Sequence, residues 1–493
     1  MKVAVIGSGP SGWAAQKKLL SLGHSVTTID TDLTDNISSK SLMSNKVTPP
    51  TNISDSNLSQ KLFMGSDLPY RIFPYGPAVK SYGVNPAKSF ARGGLSLVWG
   101  ATMLPYCKND TITWPFSISI LHDYYLELST QIPISGIRDA LSYHYGDYFS
   151  RRNIFPSQRI LALLEKTSNH NIKDFSIGLS RLAVETGTFY NSGCFYCNKC
   201  IDGCSEGYIW NSIIPSANNI SNKIIMRVLK IKEVNNLVYI EGVNAKGQKN
   251  TACFDKVYIA TGAIESFRIL ANSNYVKPEV ELLDSATFFF PLLVSRKLGA
   301  PEANSIALSQ SFIRIDKDTK SKSSQYQLYE YSDDLILRAR KTLLFGKLIP
   351  SKILAFILRK FIIAIGYLDG SESPRMKMSL ELDGSVNLSI SSSGLNLLER
   401  NSVVKNSVRE LRNFLSPFGF RPLIKFIRYA KPGEGNHFGA WLPMGDKSDL
   451  LGRPNGCNNI HVVDSSVLPS IAPGPITFTV MANAVRIAKE STQ

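Results

Sequence analysis

Residues 2–30 contain the stretch that decides the fold, KVAVIGSGPSGWAAQKKLLSLGHSVTTID. The β-branched run KVAVI predicts a buried parallel strand, a helix follows the glycine loop, and SVTTID predicts a second strand. Glycines in such a loop permit a tight turn and close approach of the backbone to a pyrophosphate, whose charge the helix N-terminus favours. An acid that ends the second strand can accept from a ribose hydroxyl. We therefore expect a Rossmann-like dinucleotide site, although the pattern alone does not separate FAD from NAD. The residues expected to hold it are Gly7, Gly9, Pro10, Ser11, Gly12 and Asp30.

The composition indicates a globular protein of two or three domains. The chain has 493 residues, of which 43% are hydrophobic and 19% are charged, so a large core can form and a disordered chain is excluded. The longest strongly apolar stretch, 353–367, is interrupted by Arg359 and Lys360, and it is shorter than the ~20 residues of a membrane-spanning helix. The glycine loop would break the apolar segment of a signal peptide, so we expect a cytoplasmic protein.

The chain is basic, with a formal net charge of +16. Part of this charge lies in residues 335–368, which contain no acid and in which Pro350 is predicted to divide two short helices. Basic residues interleaved with apolar ones suit an anionic membrane surface, and we expect possible peripheral membrane contact there. The alternative, which the sequence favours, is that two amphipathic helices pack on a sheet with basic outer faces. The basic residues are Arg338, Arg340, Lys341, Lys347, Lys352, Arg359 and Lys360.

Four of the seven cysteines lie in one short run, GCFYCNKCIDGCSEG. Their spacing, C-x₂-C-x₂-C-x₃-C, is that of ferredoxin-type iron–sulfur ligands, although Ser205 replaces the proline that usually follows. The run predicts a [4Fe-4S] cluster or, with three ligands, a [3Fe-4S] cluster. Structural zinc, whose ligands usually come as two separated pairs, and a tight loop without metal stay open. The candidate ligands are Cys194, Cys197, Cys200 and Cys204.

Four segments together resemble the glucose–methanol–choline oxidoreductases, flavoenzymes that bind FAD and oxidise alcohols and sugars. They are GSGPSG with Asp30, the segment 92–100 (RGGLSLVWG), the segment 261–273 (TGAIESFRILANS), and the C-terminal segment 459–488. The tryptophan-containing second segment is similar to pyranose-oxidase-like members. The chain also resembles the branch of bacterial FAD-dependent sugar dehydrogenases. The resemblance implies that further FAD contacts come from Arg92, Gly93, Gly94, Ser96, Trp99, Gly262, Asp464, Ser465, Pro475, Ile476 and Thr477.

The same resemblance supplies a catalytic base. An alcohol oxidation needs a group that takes the hydroxyl proton, and histidine suits this role because its pKa lies near working pH. Of the six histidines, His437 in GEGNHFG matches the position of the family's catalytic histidine, and Asn436 beside it could orient the substrate. The second catalytic position of the family, usually Asn or His, falls at Pro475 here. No histidine lies in residues 89–106, so we expect FAD to be held non-covalently.

The sequence thus predicts an α/β protein with a discontinuous FAD-binding domain and a substrate domain of a β-sheet plus helices. The leading function is a dehydrogenase that oxidises a CH–OH group of a sugar or related alcohol and passes electrons to an external acceptor, with no nucleic acid partner. An oxidase that uses dioxygen is one alternative, and a flavin-stabilised membrane-surface or partner-binding protein with weak chemistry is another. Some dehydrogenases that resemble this family carry a cluster where the cysteines lie, whereas other members have a loop there. The expected divisions are FAD-binding segments 1–105, 186–285 and 430–493, a helical insertion 106–185, and a substrate domain 286–429.

Overall fold

The fold is described from a computed structural model of the chain. It describes residues 1–31, 68–70, 76–168, 174–187, 193–201, 203–204, 208–209, 222–244, 246–301, 305–316, 322–332 and 348–493. The first part of the basic stretch, 335–347, lies outside the described residues.

Helices and strands alternate along the chain. The helices are α1 (Pro10–Ser21), α2 (His122–Gln131), α3 (Ser142–Tyr145), α4 (Gln158–Ser168), α5 (Ala263–Asn272), α6 (Ser351–Leu358), α7 (Leu397–Leu415) and α8 (Thr477–Glu490). The strands are β1 (Lys2–Ile6), β2 (Ser25–Asp30), β3 (Val79–Tyr82), β4 (Ile134–Ser135), β5 (Phe175–Leu179), β6 (Leu182–Ala183), β7 (Asn222–Ile225), β8 (Arg227–Val234), β9 (Leu237–Val243), β10 (Lys249–Phe254), β11 (Lys256–Ile259), β12 (Glu279–Asp284), β13 (Thr287–Val294), β14 (Ser311–Ile315), β15 (Ser324–Tyr329), β16 (Phe361–Leu368), β17 (Pro374–Leu380), β18 (Val386–Gly394), β19 (Phe420–Pro422), β20 (Arg428–Tyr429), β21 (Phe438–Gly439) and β22 (Ile460–Val462).

A parallel sheet ordered β22-β11-β1-β2-β7 forms the Rossmann-like unit for which a dinucleotide site was predicted, here called the dinucleotide unit. Its central strand, KVAVI, is almost wholly buried, as expected for a parallel strand covered on both faces. The strands come from the start, the middle and the end of the chain, and α1 packs against α8. The predicted α/β fold with a discontinuous Rossmann-like unit is therefore confirmed.

A second, antiparallel sheet, which we call the substrate sheet, is ordered β19-β13-β16-β15-β14-β5, with β20 also pairing with β13. Its strands come from the predicted substrate region except β5, which comes from the predicted helical insertion. Helices α4 and α7 cover one face of it, and they bury Leu163, Val404, Val408 and Leu411 in a core with the strands. The helix α7 begins at an Asn396 capping box, in which the side chain accepts from backbone N–H groups of the first turn. This sheet supplies the wall that faces the dinucleotide unit.

A third sheet, β21-β12-β17-β18-β3, links the two units. Strand β12 pairs with the short strand β21 through Leu283 and Gly439, and the backbone N–H of Ser285 donates to the carbonyl of His437 at 3.0 Å. The loop that carries the predicted catalytic histidine is therefore fixed to the start of the substrate sheet.

The second of the two short helices predicted within 335–368, the one after Pro350, forms only in part. Residues 351–358 form α6, but Phe361–Leu368 is the central strand β16, paired on both sides. The sequence FIIAIGYL is rich in β-branched residues and buries alternate side chains, which is the pattern of a strand with one strongly covered face.

Candidate active site

A cavity of about 630 Å³ lies between the parallel sheet and the substrate sheet. It collects nearly all the residues that the sequence assigned to cofactor and substrate, although they come from distant parts of the chain. The assigned residues that line it are Gly7, Gly9, Pro10, Ser11, Asp30, Gly94, Ser96, Trp99, Gly262, Asp464, Ser465, Pro475, Ile476, Thr477, Asn436 and His437.

The loop after β1 leaves open space where a pyrophosphate would lie. A Cβ added at Gly9 would meet only the carbonyl of Gly93, at 4.0 Å. At Gly12 it would lie 2.0 Å from the carbonyl of Gly7, so that glycine permits close packing of α1 on the loop. The first position thus faces the cavity and the second does not, which matches the two roles that glycines have in dinucleotide loops.

Three assigned residues do not line the cavity, namely Gly12, Arg92 and Gly93. The turn at Gly93 instead supports the dinucleotide loop, because its N–H donates to the Ser8 hydroxyl at 2.8 Å and its carbonyl accepts from the Ser96 hydroxyl at 2.7 Å. Gly93 has a φ of +91°, a conformation that side chains other than glycine rarely adopt.

The carboxylate of Asp30 closes the opposite end of the loop. It accepts hydrogen bonds from the N–H groups of Ser8 at 2.9 Å and Thr31 at 2.6 Å. Burial raises the pKa of Asp30, and the hydrogen bonds from Ser8 and Thr31 oppose that rise. The group is positioned on the cavity wall, where a ribose hydroxyl could donate to it.

Asp464 joins the C-terminal segment to the middle of the chain. Its carboxylate accepts from the N–H of Gly262 at 2.9 Å and from the hydroxyl of Ser266 at 2.5 Å, while its other oxygen caps the turn at Ser466. Burial raises the pKa of the Asp464 carboxyl, and these hydrogen bonds oppose the change. Gly262 and Asp464 therefore form one wall of the cavity.

Pro475, Ile476 and Thr477 bring the N-terminus of α8 to the cavity. The first turn of this helix contains no acid, so its backbone N–H groups and dipole favour a negative or electron-rich group. A Cβ on Gly474 would lie 1.7 Å from the side-chain oxygen of Gln325, which shows how closely this turn packs on β15.

His437 lies on the cavity wall with its ring 5.1 Å from the ring of Tyr367. Its Nδ1 is buried and has no hydrogen-bond partner among the described residues. Burial lowers the pKa of His437 to about 4, so the imidazole is neutral at neutral pH. A neutral ring with an unused nitrogen can accept a proton or a hydrogen bond from a bound molecule.

Asn436 has a φ of +59° and turns the chain before His437. Its side-chain oxygen accepts from the N–H of Ala87 at 3.0 Å. This bond ties the His437 loop to residues near the Gly-Gly segment, and the residue also lines the cavity.

The wall formed by the substrate sheet was missed by sequence reasoning. The Nε2 of Gln327 is buried without a partner in the described part of the chain, and its oxygen accepts from the Tyr329 hydroxyl at 2.9 Å. Burial raises the pKa values of Tyr329 and Tyr367, so both phenols stay protonated. These lining side chains are uncharged at neutral pH. They are Thr287, Phe289, Gln327, Tyr329, Ile365 and Tyr367.

The structure gives no support to the predicted iron–sulfur cluster. All four cysteines of the run are described, yet no group of three or more His, Cys, Asp or Glu side chains in the described residues is arranged to hold a metal ion. The run instead forms a turn, with Tyr196 and Asn198 at positive φ. The Tyr196 hydroxyl accepts from the N–H of Phe155 at 3.0 Å, and Cys197 bridges to Ser305 through the backbone. Burial raises the pKa of Cys194, which favours a thiol over a metal-binding thiolate.

Comparison with known proteins shows the fold. No protein-family model and no curated protein matches the chain. Among solved structures, the chain is similar to pyridoxine 4-oxidase from Mesorbium loti, with a TM-score of 0.61 and 14% sequence identity. The match covers 99% of this chain and 98% of that protein. At this identity the likeness concerns the whole fold and does not transfer an activity.

Within the described ranges, no helix is both long and apolar enough to cross a membrane.

Proposed function

We propose that the protein is an FAD-dependent oxidoreductase that oxidises the CH–OH group of an uncharged alcohol, such as a sugar, and passes the electrons to an external acceptor. The observation that carries this proposal is the single cavity shared by the Gly7–Gly12 loop and His437. The resemblance of four sequence segments to the glucose–methanol–choline oxidoreductases supports FAD as the dinucleotide, and the likeness to pyridoxine 4-oxidase supports the fold that this chemistry uses.

The residues of the cavity divide into those that would hold the cofactor and those that would contact the substrate. The cofactor group would hold the pyrophosphate over Gly9, the ribose hydroxyls at Asp30, and the flavin near Pro475 and the start of α8. When bound, FAD would supply the acceptor for the hydride of the substrate.

His437 would take the proton of the substrate hydroxyl. Its lowered pKa keeps the ring unprotonated at neutral pH, and its position beside Tyr367 leaves a nitrogen without a partner in the described structure. Pro475, at the second catalytic position of the family, has no group that transfers protons. Removal of the hydroxyl proton of the substrate therefore depends on His437.

The uncharged wall favours a neutral substrate. Moving a charged substrate from water into the cavity would cost several kcal/mol, because the substrate sheet offers it no opposite charge. The Nε2 of Gln327, which has no partner among the described residues, is a hydrogen-bond donor, and it would suit a second oxygen or ring heteroatom of the substrate. A polyhydroxy or heteroaromatic alcohol fits this wall better than a simple alkyl alcohol.

A dioxygen-using oxidase is the second candidate, and the name of pyridoxine 4-oxidase is the observation that favours it. Both candidates share the first half of the reaction and differ in what reoxidises the flavin. A cytoplasmic location remains a prediction from the sequence.

The test begins with the absorption spectrum of the purified protein, which should show flavin. Acid precipitation should release the yellow colour into the supernatant, and colour in the pellet would contradict non-covalent binding. The flavin should then bleach anaerobically with a member of a panel of sugars, benzyl alcohol and pyridoxine. Slow recovery of colour in air and rapid recovery with a quinone would support the dehydrogenase. Rapid recovery in air would support the oxidase. If no alcohol bleaches the flavin, the protein binds flavin but does not carry out this chemistry.

A further inference from the structure

The outward face of α6 is apolar. Ile353, Phe356 and Ile357 are 52%, 65% and 40% exposed, and their spacing of three and four residues places them on one side of the helix. Leu354, which lies at the flank of this face, is 1% exposed and packs on the protein. A surface helix ordinarily presents polar residues to water, so this helix is apolar on the face where polarity is expected.

Leu348 extends the exposed apolar surface towards the start of the helix. It is 77% exposed and lies just before Pro350, the residue that precedes α6. We call Leu348, Ile353, Phe356 and Ile357 the α6 patch. Exposed apolar residues that lie together mark a surface that contacts a partner or a membrane.

Basic side chains surround the α6 patch. Lys352 and Arg359 are exposed, and the Nζ of Lys360 lies 4.6 Å from the centroid of the Phe356 ring. The guanidinium of Arg359 lies 5.5 Å from the Tyr331 ring. No acidic residue occurs between residues 348 and 368. The local charge is therefore positive.

Glu330, which follows β15, does not cancel that charge. Glu330 is buried and pairs with the guanidinium of Arg159. Arg159, on α4, also donates to the backbone carbonyl of Arg359 at 2.8 Å, which anchors the end of α6 to α4. Lys352 and Arg359, beside the α6 patch, remain exposed to solvent, and Lys360 is half-exposed.

The patch lies away from the candidate active site. Strand β16 starts at Phe361, and Ile365, the first residue of this strand that lines the cavity, is four residues further along it. At about 3.3 Å per residue, the start of the strand is roughly 13 Å from that residue. A contact at the patch would leave the cavity walls unchanged.

We propose that the α6 patch docks the protein on an anionic membrane surface, with α6 lying in the plane of the interface. Apolar side chains would enter the boundary between headgroups and acyl chains, while the lysine and arginine side chains extend to the lipid phosphates. Charge complementarity favours a lipid surface over a protein partner, because each basic residue near an anionic leaflet adds to binding. This inference does not depend on the proposed function.

Vesicle flotation of the full-length holoprotein tests the proposal. At low salt, the protein should float with vesicles of phosphatidylcholine and phosphatidylserine and much less with phosphatidylcholine alone, and added salt should weaken binding. Ile353→Ser with Phe356→Ser should lower binding about tenfold or more, since two apolar side chains no longer leave water. Lys352→Glu with Lys360→Glu should remove the preference for anionic vesicles.

Leu382→Ser with Leu398→Ser is the matched control. Both leucines are highly exposed, at 110% and 81%, but neither belongs to the patch, so this variant should bind as the wild type does. Flavin content and thermal melting verify that each variant is folded. Equal flotation of the patch variant and the wild type would overturn the proposal. So would a dimer in solution that the patch variant dissociates while vesicles bind neither form, because the patch would then be a contact between two copies.

Discussion

His437 is the residue on which the proposed reaction depends. His437→Ala should slow anaerobic flavin reduction by ~10²–10⁴-fold, which is the usual contribution of a positioned base. FAD content should not change, because the ring does not lie on the dinucleotide loop. Stopped-flow absorbance with the best alcohol of the panel measures the rate. His24→Ala, in the turn after α1, is the control and should reduce at the wild-type rate; reduction of His437→Ala at that rate would exclude the histidine as base.

The pH dependence of flavin reduction is a second test of His437 as the base. Burial lowers its pKa to about 4, so the ring is already neutral at neutral pH. The rate of flavin reduction should stay constant as the pH falls from neutral and should decline only as it approaches about 4, where the ring gains a proton. A decline centred on the ordinary histidine pKa, near 6.5, would contradict the burial of this ring.

The sequence predicted His437 as the base but did not single out the side chains around it, and the reason is physical. A glycine-rich turn with one histidine matches a known segment, whereas Gln327 and Tyr329 lie in QYQLYE, an ordinary alternating strand. Alternation shows which residues share a face of a strand, but it does not show what that face meets. The substrate wall becomes visible only when β15 and β16 are placed against the dinucleotide unit.

At the scale of elements, the loop between β1 and α1 offers a matched pair of glycines. Gly9→Val should fold normally and lose FAD, because its side chain would enter only the space that the pyrophosphate needs. Gly12→Val should instead lower thermal stability, since its Cβ would overlap the carbonyl of Gly7. Flavin absorbance per protein and the melting temperature distinguish the two effects. Full flavin content in a folded Gly9→Val protein would place the pyrophosphate elsewhere.

The basic stretch and the cysteine run show where elements could not be predicted. FIIAIGYL follows a helix of similar composition, and a short apolar run does not by itself distinguish a strand from a buried helix. The strand forms because β13 and β15 flank it, which are contacts distant in sequence. Likewise, cysteine spacing suits a cluster or a tight turn equally well; Tyr196 and Asn198 show a turn in the run, and the described residues give the cluster no support.

Over the whole molecule, the order of the parallel sheet follows from the resemblance of segments at both ends of the chain. Strand β22 pairs with β11 and places Asp464 beside Gly262, although the two residues are 202 positions apart in the sequence. The pairing of the antiparallel sheet has no comparable signal, because all its strands except β5 lie in 286–429, where the resemblance is general. The cofactor half of the cavity was therefore predictable and the substrate half was not.

The parallel sheet also contains the group that should make the protein sensitive to acid. His461 on β22 is fully buried, stacks on Tyr258 with ring centroids 5.1 Å apart, and bonds through Nδ1 to the carbonyl of Leu451. Burial lowers its pKa from 6.5 to about 4. Below about pH 6.5 the unfolded chain therefore binds a proton that the folded chain does not, so the stability of the folded state falls as the pH decreases towards 4.

His461→Phe should reduce that loss. Phenylalanine keeps an aromatic ring against Tyr258 but does not titrate, so the fall in unfolding free energy between about pH 7 and about pH 5 should shrink by roughly 2 kcal/mol, at about 1.4 kcal/mol per pH unit below 6.5. Urea unfolding at both pH values measures the difference. Asp284→Asn is the control of opposite sign: burial raises the pKa of that carboxyl to about 7, so protonation stabilises the folded state as the pH falls, and its removal should enlarge the loss. An unchanged pH dependence in His461→Phe would mean that His461 is not the buried neutral group on which this acid sensitivity rests.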